Sequence, residues 1–417
     1  MKKRPQPSHR PEPAELGEAL GKAGGLWSQL VSYIGDHYPP ITEAWHFTGP
    51  KPGTALRGRA RSSPDRDNVA GCRRSATARG RQDGPNIMRE GLPPIALGLL
   101  LLLVSLPAAA QSPATSRCQP TLAPRGAGPQ MADTAFDPPL VRQAFPPDQG
   151  PLVLIDEAHF NFHTREGRYA PFARLLTRDG FVVRSLREPW TRAALGSAKI
   201  LVVANALAER NARGNWTLPT PPAFREAELA TVRDWVADGG ALLLIADHMP
   251  FPGANETLAG AFGIWFSNGF ATDSTCSADE FVFRRADGTL ADGPMTRGRQ
   301  RSERIDSVRS FTGQAFRVSG RAQPVLTLGR GSVVLLPTSA WVFSDSTPRL
   351  AAEGLLQGAA VLHGKGKVAV FGEAAMFSAQ VSGIQRRPMG MNAPTAAQNG
   401  QFLLNVMHWL AGLLDQQ

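Results

Sequence analysis

The hydrophobic positions beyond residue 150 follow two alternating patterns. Short, wholly apolar runs are typical of strands buried on both faces, and they occur at 152–155, 181–183, 200–203, 241–245 and 368–371. Stretches with helical periodicity lie between or after them, at 169–177, 224–237, 257–262 and 402–414. This alternation predicts an α/β fold with a doubly wound, mainly parallel, flavodoxin-like sheet over residues 151–414.

One long segment interrupts this rhythm. Residues 273–340 are polar and rich in arginine, and they predict a β-rich insertion in the α/β domain. Within it, the apolar runs 325–328 and 333–336 flank Gly329-Arg330-Gly331, which favours a β-hairpin.

An apolar segment at 88–110 has the order of a secretory signal peptide. Met88 and Arg89 precede an apolar run of about a dozen residues, shorter than the roughly 20 that span a bilayer as a helix. Small residues follow, so we expect cleavage between Ala110 and Gln111. A buried core helix and a signal anchor are the alternatives, but prolines flank the run and it has no polar face. We therefore expect a periplasmic or secreted protein without a stable membrane span after cleavage.

The segments on either side of the signal peptide carry weaker patterns. Residues 1–87 are interpreted as a mispredicted or remnant extension, largely disordered, because residues 54–87 are rich in arginine and small residues. Residues 111–150 are rich in proline, alanine and glycine and predict a flexible lead-in to the domain.

Charge and cysteine content narrow the possible classes. The formal net charge is +10, yet the predicted mature part has no lysine or arginine run with interleaved aromatics, which argues against nucleic-acid binding. Two of the three cysteines, Cys118 and Cys276, follow the predicted cleavage site. In an oxidising compartment they are candidates for a disulfide, and two free thiols are the alternative.

Polar side chains follow four of the predicted strands. Because the carboxyl ends of parallel strands meet at one edge of a sheet, we expect these side chains to share a crevice there. The candidate ligand-binding residues are His159, Asn161, His163, Asn205, Asp247, His248 and Glu373.

Three interpretations of this edge remain open. The polar groups could cap loops and helix ends. They could bind a polar small molecule such as a saccharide or a peptide fragment. They could also form a metal site or an acid/base pair, with His248, Asp247 and Glu373 as catalytic candidates. The spacing of His159 and His163 does not decide for a metal, since an i, i+4 pair shares a face only on a helix.

Several segments together carry a family resemblance. The order DEAHFNFH, VVANAL, GGALLLIADH, GKGKVAVFGEAAMFS and NGQFLLNVMHWL resembles uncharacterised proteins with a class I glutamine amidotransferase-like fold, relatives of trehalose-utilisation-protein-like and gliding-motility-protein-G-like domains. The resemblance covers residues 150–414. Amidotransferases carry a nucleophilic cysteine on the turn after the strand that corresponds to ALLLI, whereas this turn reads Ala246-Asp247-His248-Met249.

The missing cysteine makes glutaminase chemistry untenable, and no G-x-S-x-G motif offers a serine nucleophile instead. The trehalose-utilisation-like relatives have a histidine near this turn, which makes His248 the first candidate. We expect an exported amidotransferase-like domain that binds a polar small ligand at the carboxyl edge of the sheet. A metal- or His/Asp-dependent hydrolase using the same crevice is the alternative. The sequence indicates neither a cofactor nor an oligomeric state.

Overall fold

The computed structural model describes residues 42–46, 57–61, 130–274, 280–320 and 322–415. The chain divides into two units, Met1–Ser105 and Leu106–Gln417. In the first unit the described residues form an antiparallel pair, β1 (Thr42–His46) and β2 (Arg57–Arg61). The predicted signal peptide and both cysteines of the predicted disulfide, Cys118 and Cys276, lie outside the described residues.

The second unit contains strands and helices along its whole described length. Its strands are β3 (Met131–Ala132), β4 (Leu152–Asp156), β5 (Val182–Leu186), β6 (Ile200–Ala204), β7 (Ala241–Ile245), β8 (Ile264–Phe266), β9 (Phe270–Asp273), β10 (Phe281–Arg284), β11 (Ser307–Ser310), β12 (Phe316–Val318), β13 (Gln323–Thr327), β14 (Ser332–Leu335), β15 (Arg349–Ala351), β16 (Leu356–His363), β17 (Gly366–Phe371), β18 (Ala379–Ser382) and β19 (Arg387–Gly390). Its α-helices are α1 (Ala170–Arg178), α2 (Arg192–Leu195), α3 (Glu209–Ala212), α4 (Glu226–Ala237), α5 (Phe251–Gly260), α6 (Pro294–Arg297) and α7 (Asn399–Ala411).

A nine-stranded mixed sheet forms the centre of this unit. Five strands run parallel in the order β5-β4-β6-β7-β17, and the sheet continues antiparallel through β16, β12 and β8, with β13 also paired to β16. The prediction of an α/β fold with a parallel central sheet is confirmed. The antiparallel extension was not predicted from the sequence.

Both faces of the parallel strands are buried. In β7, Leu243 and Ile245 pack into one apolar cluster, whereas Leu242 and Leu244 pack into another, because successive side chains of a strand point to opposite faces. Helices α1 and α7 supply the first cluster, and α4 and α5 supply the second. Continuous apolar runs such as ALLLI are therefore required, since each strand faces a helical layer on either side.

Helix α1 shows how the local sequence sets one of these layers. Phe172, Leu175 and Leu176 form its buried face, and Pro171 stands in its first turn, where a missing N–H is tolerated. The helix ends before Gly180, which has a φ of +95°. A Cβ at Gly180 would lie 2.2 Å from the carbonyl oxygen of Phe145, so only glycine fits this stop.

The predicted hairpin at 325–336 is wrong. β13 pairs with β16 in the central sheet, and β14 pairs instead with β9 and β15 in a separate three-stranded sheet. Each strand gains a partner from outside the segment, so the Gly-Arg-Gly turn separates two sheets. The predicted insertion at 273–340 is β-rich, but its strands β12 and β13 belong to the central sheet.

The described part of the predicted lead-in is packed onto the domain, which corrects the prediction of a flexible segment for residues 130–150. β3 pairs with β18, and Phe136, Leu140 and Phe145 pack against the apolar cluster of α1 and α7. The side chain of Arg174 donates to the carbonyl oxygen of Thr134. Apolar side chains within a proline-rich segment thus give it enough buried contact to be held in place.

Other boundaries differ from the predictions by a few residues. β7 matches its prediction in full, whereas α5 begins six residues earlier than predicted, at Phe251. Pro252 in its first turn favours this earlier start. Within the described residues, no helix combines the length and the apolar character needed to cross a membrane.

Candidate functional site

Four neighbouring parallel strands, β4, β6, β7 and β17, end at the same edge of the sheet. Asn205 directly follows β6, whereas Asp247 and Glu373 each stand two residues beyond β7 and β17. These three residues therefore stand at one edge of the sheet. Burial is high, since Asn205 and Glu373 are 1% exposed and Asp247 is 8% exposed.

Asn205 connects three segments of this edge. Its Oδ1 accepts a hydrogen bond of 2.9 Å from the backbone N–H of Asp247, and its carbonyl oxygen accepts one of 3.0 Å from Phe162 N–H. Its Nδ2 lies 3.2 Å from Nδ1 of His163. The residue has a φ of +52°, a left-handed conformation that asparagine tolerates better than most residues. Asn205 therefore fixes the turns after β4 and β7 relative to each other.

His163 is buried without full hydrogen bonding. Only 2% of the residue is exposed, and its Nε2 is a buried atom without a hydrogen-bond partner among the described residues. Burial, with the nearby charges of Arg168 and His248, lowers the pKa of His163 well below its usual value. The imidazole is consequently neutral at physiological pH.

Asp247 and Glu373 bring two carboxyl groups to this edge, and the charge of Asp247 acts on Glu373. Burial and the charge of Asp247 raise the pKa of Glu373 to about 8, although its carboxyl accepts backbone hydrogen bonds from Ala375 at 2.6 Å and Met376 at 2.8 Å. Burial raises the pKa of Tyr169 well above its usual value, and the charges of the same two carboxyl groups raise it further. Tyr169 Oη donates to the carbonyl oxygen of Ala374 at 3.0 Å.

Aromatic rings surround His248. Its ring is stacked on Phe270 with centroids 4.6 Å apart and meets Trp341 edge-on at 4.6 Å, while Trp216 lies at 6.3 Å. Nδ1 of His248 lies 2.8 Å from the carbonyl oxygen of Met249 and donates to it. Nε2 makes no hydrogen bond to the described residues. The Nδ1–H tautomer thus leaves Nε2 as an acceptor.

Two loops close over this ring. Ala340 N–H donates to the carbonyl oxygen of Trp216 at 2.8 Å, and Leu218 N–H donates to that of Thr338 at 2.9 Å. We call these paired segments, residues 216–218 and 338–340, the clasp. Because the clasp carries Trp216 and leads directly into Trp341, it helps to keep His248 at 9% exposure.

His159 belongs to a different cluster. Its Nδ1 lies 3.0 Å from both carboxylate oxygens of Asp156, and its Nε2 lies 3.1 Å from Oε1 of Glu228 in α4. Trp190 and Phe224 pack on its ring at 4.6 and 4.9 Å. Burial opposes the charged form, but the two carboxylates outweigh it and raise the pKa of His159.

The structure therefore does not join His159 to His248, contrary to the expectation of one common crevice. The His159 ring packs with Trp190 and Phe224, whereas the His248 ring packs with Phe270 and Trp341. A separate cavity of about 260 Å³ is lined by His159, Phe160, Arg225 and Glu228 among others. Asn161 belongs to this loop as well, since its Oδ1 accepts from His159 N–H at 3.1 Å while its buried Nδ2 has no partner in the described chain.

Sequence reasoning missed several polar residues of these clusters, among them Asp156, Glu228, Tyr169 and Arg168. Glu228 is the third residue of α4, where an acid caps the helix by accepting from the N-cap N–H, here that of Arg225 at 3.0 Å. Tyr169 was predicted to begin the helix but lies just before α1, and Arg168 precedes it. Only Glu228 had a signal in the sequence, as the acid of a first helical turn.

The donor groups do not assemble into a metal site. Among the residues that the structure describes, no group of three or more histidine, cysteine, aspartate or glutamate side chains could hold a metal ion. The hydrogen bonds of His159 to two carboxylates occupy both of its ring nitrogens, so this imidazole offers no free ligand atom.

No family model and no curated protein sequence matches the chain. Solved structures similar to it include the mmIFT52 N-terminal domain, at 16% identity and a TM-score of 0.44 over 62% of this chain and 96% of that one. A ThuA-like protein from Bacteroides uniformis is similar at 12% identity and a TM-score of 0.36 over 63% and 92%. A β-galactosidase from Bacillus circulans sp. alkalophilus follows at 9% identity and a TM-score of 0.33 over 64% and 31%.

Proposed function

We propose that the edge formed by His163, Asn205, Asp247, His248 and Glu373 binds a polar small ligand, a saccharide or a peptide fragment. The observation that supports this most strongly is the unpartnered Nε2 of His163, buried next to a network that pairs its other nitrogen. Leaving a buried polar group without a partner costs about 1–3 kcal/mol, so a purely structural network would be expected to satisfy it. A bound ligand would supply the missing partner.

The aromatic surroundings of His248 favour the same class of ligand. Trp216 and Trp341 are only half-buried and lie beside the free Nε2 of His248. Rings with an apolar face next to a polar acceptor suit the mixed surface of a sugar or an amide.

The test is ligand binding by the protein and by two variants. We expect His248→Ala to lose binding of saccharides or short peptides in calorimetric titrations by more than its lower stability explains, since the ring packs on Phe270 and Trp341 as well as bonding to Met249. We expect Asp247→Asn to weaken binding as well. Asp234→Asn, on the exposed face of α4, is its matched control, because both exchanges remove one carboxylate. Equal binding by wild type and His248→Ala, or a large loss of stability with activity proportional to folded protein, contradicts the proposal.

A hydrolase is the second candidate, and the Asp247–Glu373 pair favours it. Two buried carboxyl groups can act as base and acid, with Glu373, whose pKa is raised to about 8, as the protonated partner. A pH profile of hydrolysis with a descending limb near the pKa of Glu373, about 8, would support this candidate. Glu373→Gln would then lose turnover and keep binding.

We further propose that the domain is a flavodoxin-like relative of class I glutamine amidotransferases and that residues 88–110 direct its export. N-terminal sequencing of the secreted protein should begin at Gln111, and a mature chain that retains residues 1–87 contradicts export by this segment. Cys118 and Cys276 would pair after export. Intact-mass measurement after alkylation without reductant tests the pair, and two alkylated thiols would refute it.

A further inference from the structure

The hydrogen bonds of Asn205 determine which nitrogen of His163 carries its proton. Oδ1 of Asn205 accepts from Asp247 N–H at 2.9 Å, so the other end of the amide, the donor Nδ2, faces Nδ1 of His163. A protonated Nδ1 would place two donors opposite each other at 3.2 Å. Nδ1 must therefore be the acceptor, and the single proton of the neutral ring must be on Nε2.

This tautomer makes the buried Nε2–H a donor without an acceptor among the described residues. We propose that His163 determines the specificity of the carboxyl-edge site by donating this hydrogen bond to an uncharged ligand oxygen, a hydroxyl or an amide carbonyl. The inference rests on the proposed ligand-binding function of the same edge and specifies the chemistry that it accepts.

The charges around His163 argue against a carboxylate in this position. Burial, and after it the charge of Asp247, raises the pKa of Glu373 to about 8, which means that the buried edge resists a second negative charge. Arg168 is the nearby cation; its guanidinium donates to the carbonyl oxygen of Phe162 at 3.2 Å and lies 3.7 Å over the Phe162 ring, and its Nε has no hydrogen-bond partner among the described residues. This charge acts on His163 but does not keep the pKa of Glu373 low, so an anionic ligand beside Asp247 would still meet the repulsion that raises that pKa.

The first measurement examines the tautomer in the free protein. Imidazole ¹⁵N spectra of the histidine-labelled protein, assigned with His163→Phe, should show a neutral Nε2–H ring between about pH 7 and pH 8. A protonated imidazolium or an Nδ1–H ring in that range would overturn the inference, whatever the protein binds.

The second measurement examines selectivity with defined probes. N-acetylglucosamine and N-acetylalanine amide are the uncharged probes, and N-acetylalanine carries a carboxylate where the second probe carries an amide. We expect ligand-observed NMR titrations to show binding of at least one uncharged probe. We also expect N-acetylalanine to bind at least about tenfold more weakly than that probe, a difference of about 1.4 kcal/mol.

Variants then assign the selectivity to His163. His163→Phe keeps an aromatic ring but removes the donor, and we expect it to lose about tenfold in affinity for the uncharged probe. His163→Gln restores a donor at the position of Nε2 and should recover part of the loss, which a merely structural role would not explain. His363→Phe, at the end of β16, is the control and should bind like wild type.

The outcomes separate the two proposals. If neither uncharged probe nor N-acetylalanine binds the wild-type protein, the proposed function itself is contradicted. If the uncharged probes bind wild type and His163→Phe equally, or if N-acetylalanine binds as well as its amide, the site stands and the role of His163 is refuted.

Discussion

Asn205→Ala should destabilise the domain more than any other single exchange at the carboxyl edge. The substitution removes both side-chain hydrogen bonds of a residue that is 1% exposed. It leaves Asp247 N–H and Nδ1 of His163 as buried groups without these partners, at about 1–3 kcal/mol each. Alanine at a φ of +52° adds about 1–2 kcal/mol of backbone strain. The free energy of unfolding should therefore fall by about 3–8 kcal/mol.

Two further variants divide this effect into its parts. Asn205→Gly removes the same hydrogen bonds without the backbone strain, so it should be about 1 kcal/mol more stable than Asn205→Ala. Asn268→Ala is the matched control, since Asn268 also has a positive φ of 48° and two side-chain hydrogen bonds, to Gly253 N–H and Thr220 Oγ1. It is only partly buried, so its loss should be smaller.

Urea denaturation monitored by circular dichroism gives the free energy of unfolding for all four proteins. The reasoning would be refuted if Asn205→Ala remained within about 1 kcal/mol of wild type, or if it lost no more stability than Asn268→Ala.

Three other predictions address the ionisable groups and the clasp. Because the pKa of His159 is raised, the ion pairs of this side chain with Asp156 and Glu228 stabilise the fold fully below the unfolded-state pKa of 6.5. This stabilisation is lost as the pH rises through the folded-state pKa. In denaturation curves measured at several pH values, His159→Gln should abolish this dependence. The raised pKa of Glu373 acts differently, because the folded state keeps a proton that the unfolded chain releases near pH 4.5. The free energy of unfolding should therefore fall as the pH rises from about 4.5 to about 8. This dependence on pH should be absent in Glu373→Gln. Finally, Thr217 and Ser339 pair across the clasp, and the residues beside them exchange the hydrogen bonds, so the Cα atoms of the pair should lie about 4.5 Å apart, within disulfide range. The Thr217→Cys/Ser339→Cys variant, once oxidised, should bind N-acetylglucosamine only after reduction. Undiminished binding by the oxidised variant would show that the clasp does not gate the site.

The sequence predicted the parallel strands, because a continuous apolar run leaves few alternatives to a buried strand. It also predicted the edge of the sheet at which the polar residues after these strands lie. It could not predict how the polar residues divide within that edge. His159 and His163 stand four residues apart, yet the first is bound between Asp156 and Glu228 and the second joins Asn205. That division depends on the loop backbone and on α4, which reaches His159 from 69 residues away in the chain.

The antiparallel part of the sheet was missed for a related reason. β16 reads LQGAAVLH, in which small and polar residues interrupt the branched apolar side chains that run unbroken through β7 after its first residue. Its Gly358 is required because a Cβ there would lie 2.8 Å from the Phe371 ring on β17. Close packing by a neighbouring strand, which local sequence does not reveal, decides the identity of such positions.

A crystal structure of the protein soaked with N-acetylglucosamine tests the central claim most directly. The ligand-binding account predicts the sugar at the carboxyl edge, under the clasp, with an uncharged oxygen within hydrogen-bond distance of Nε2 of His163 and a hydroxyl within reach of Asp247. A sugar found only in the cavity beside His159 and Glu228, with His163 Nε2 untouched, would contradict it.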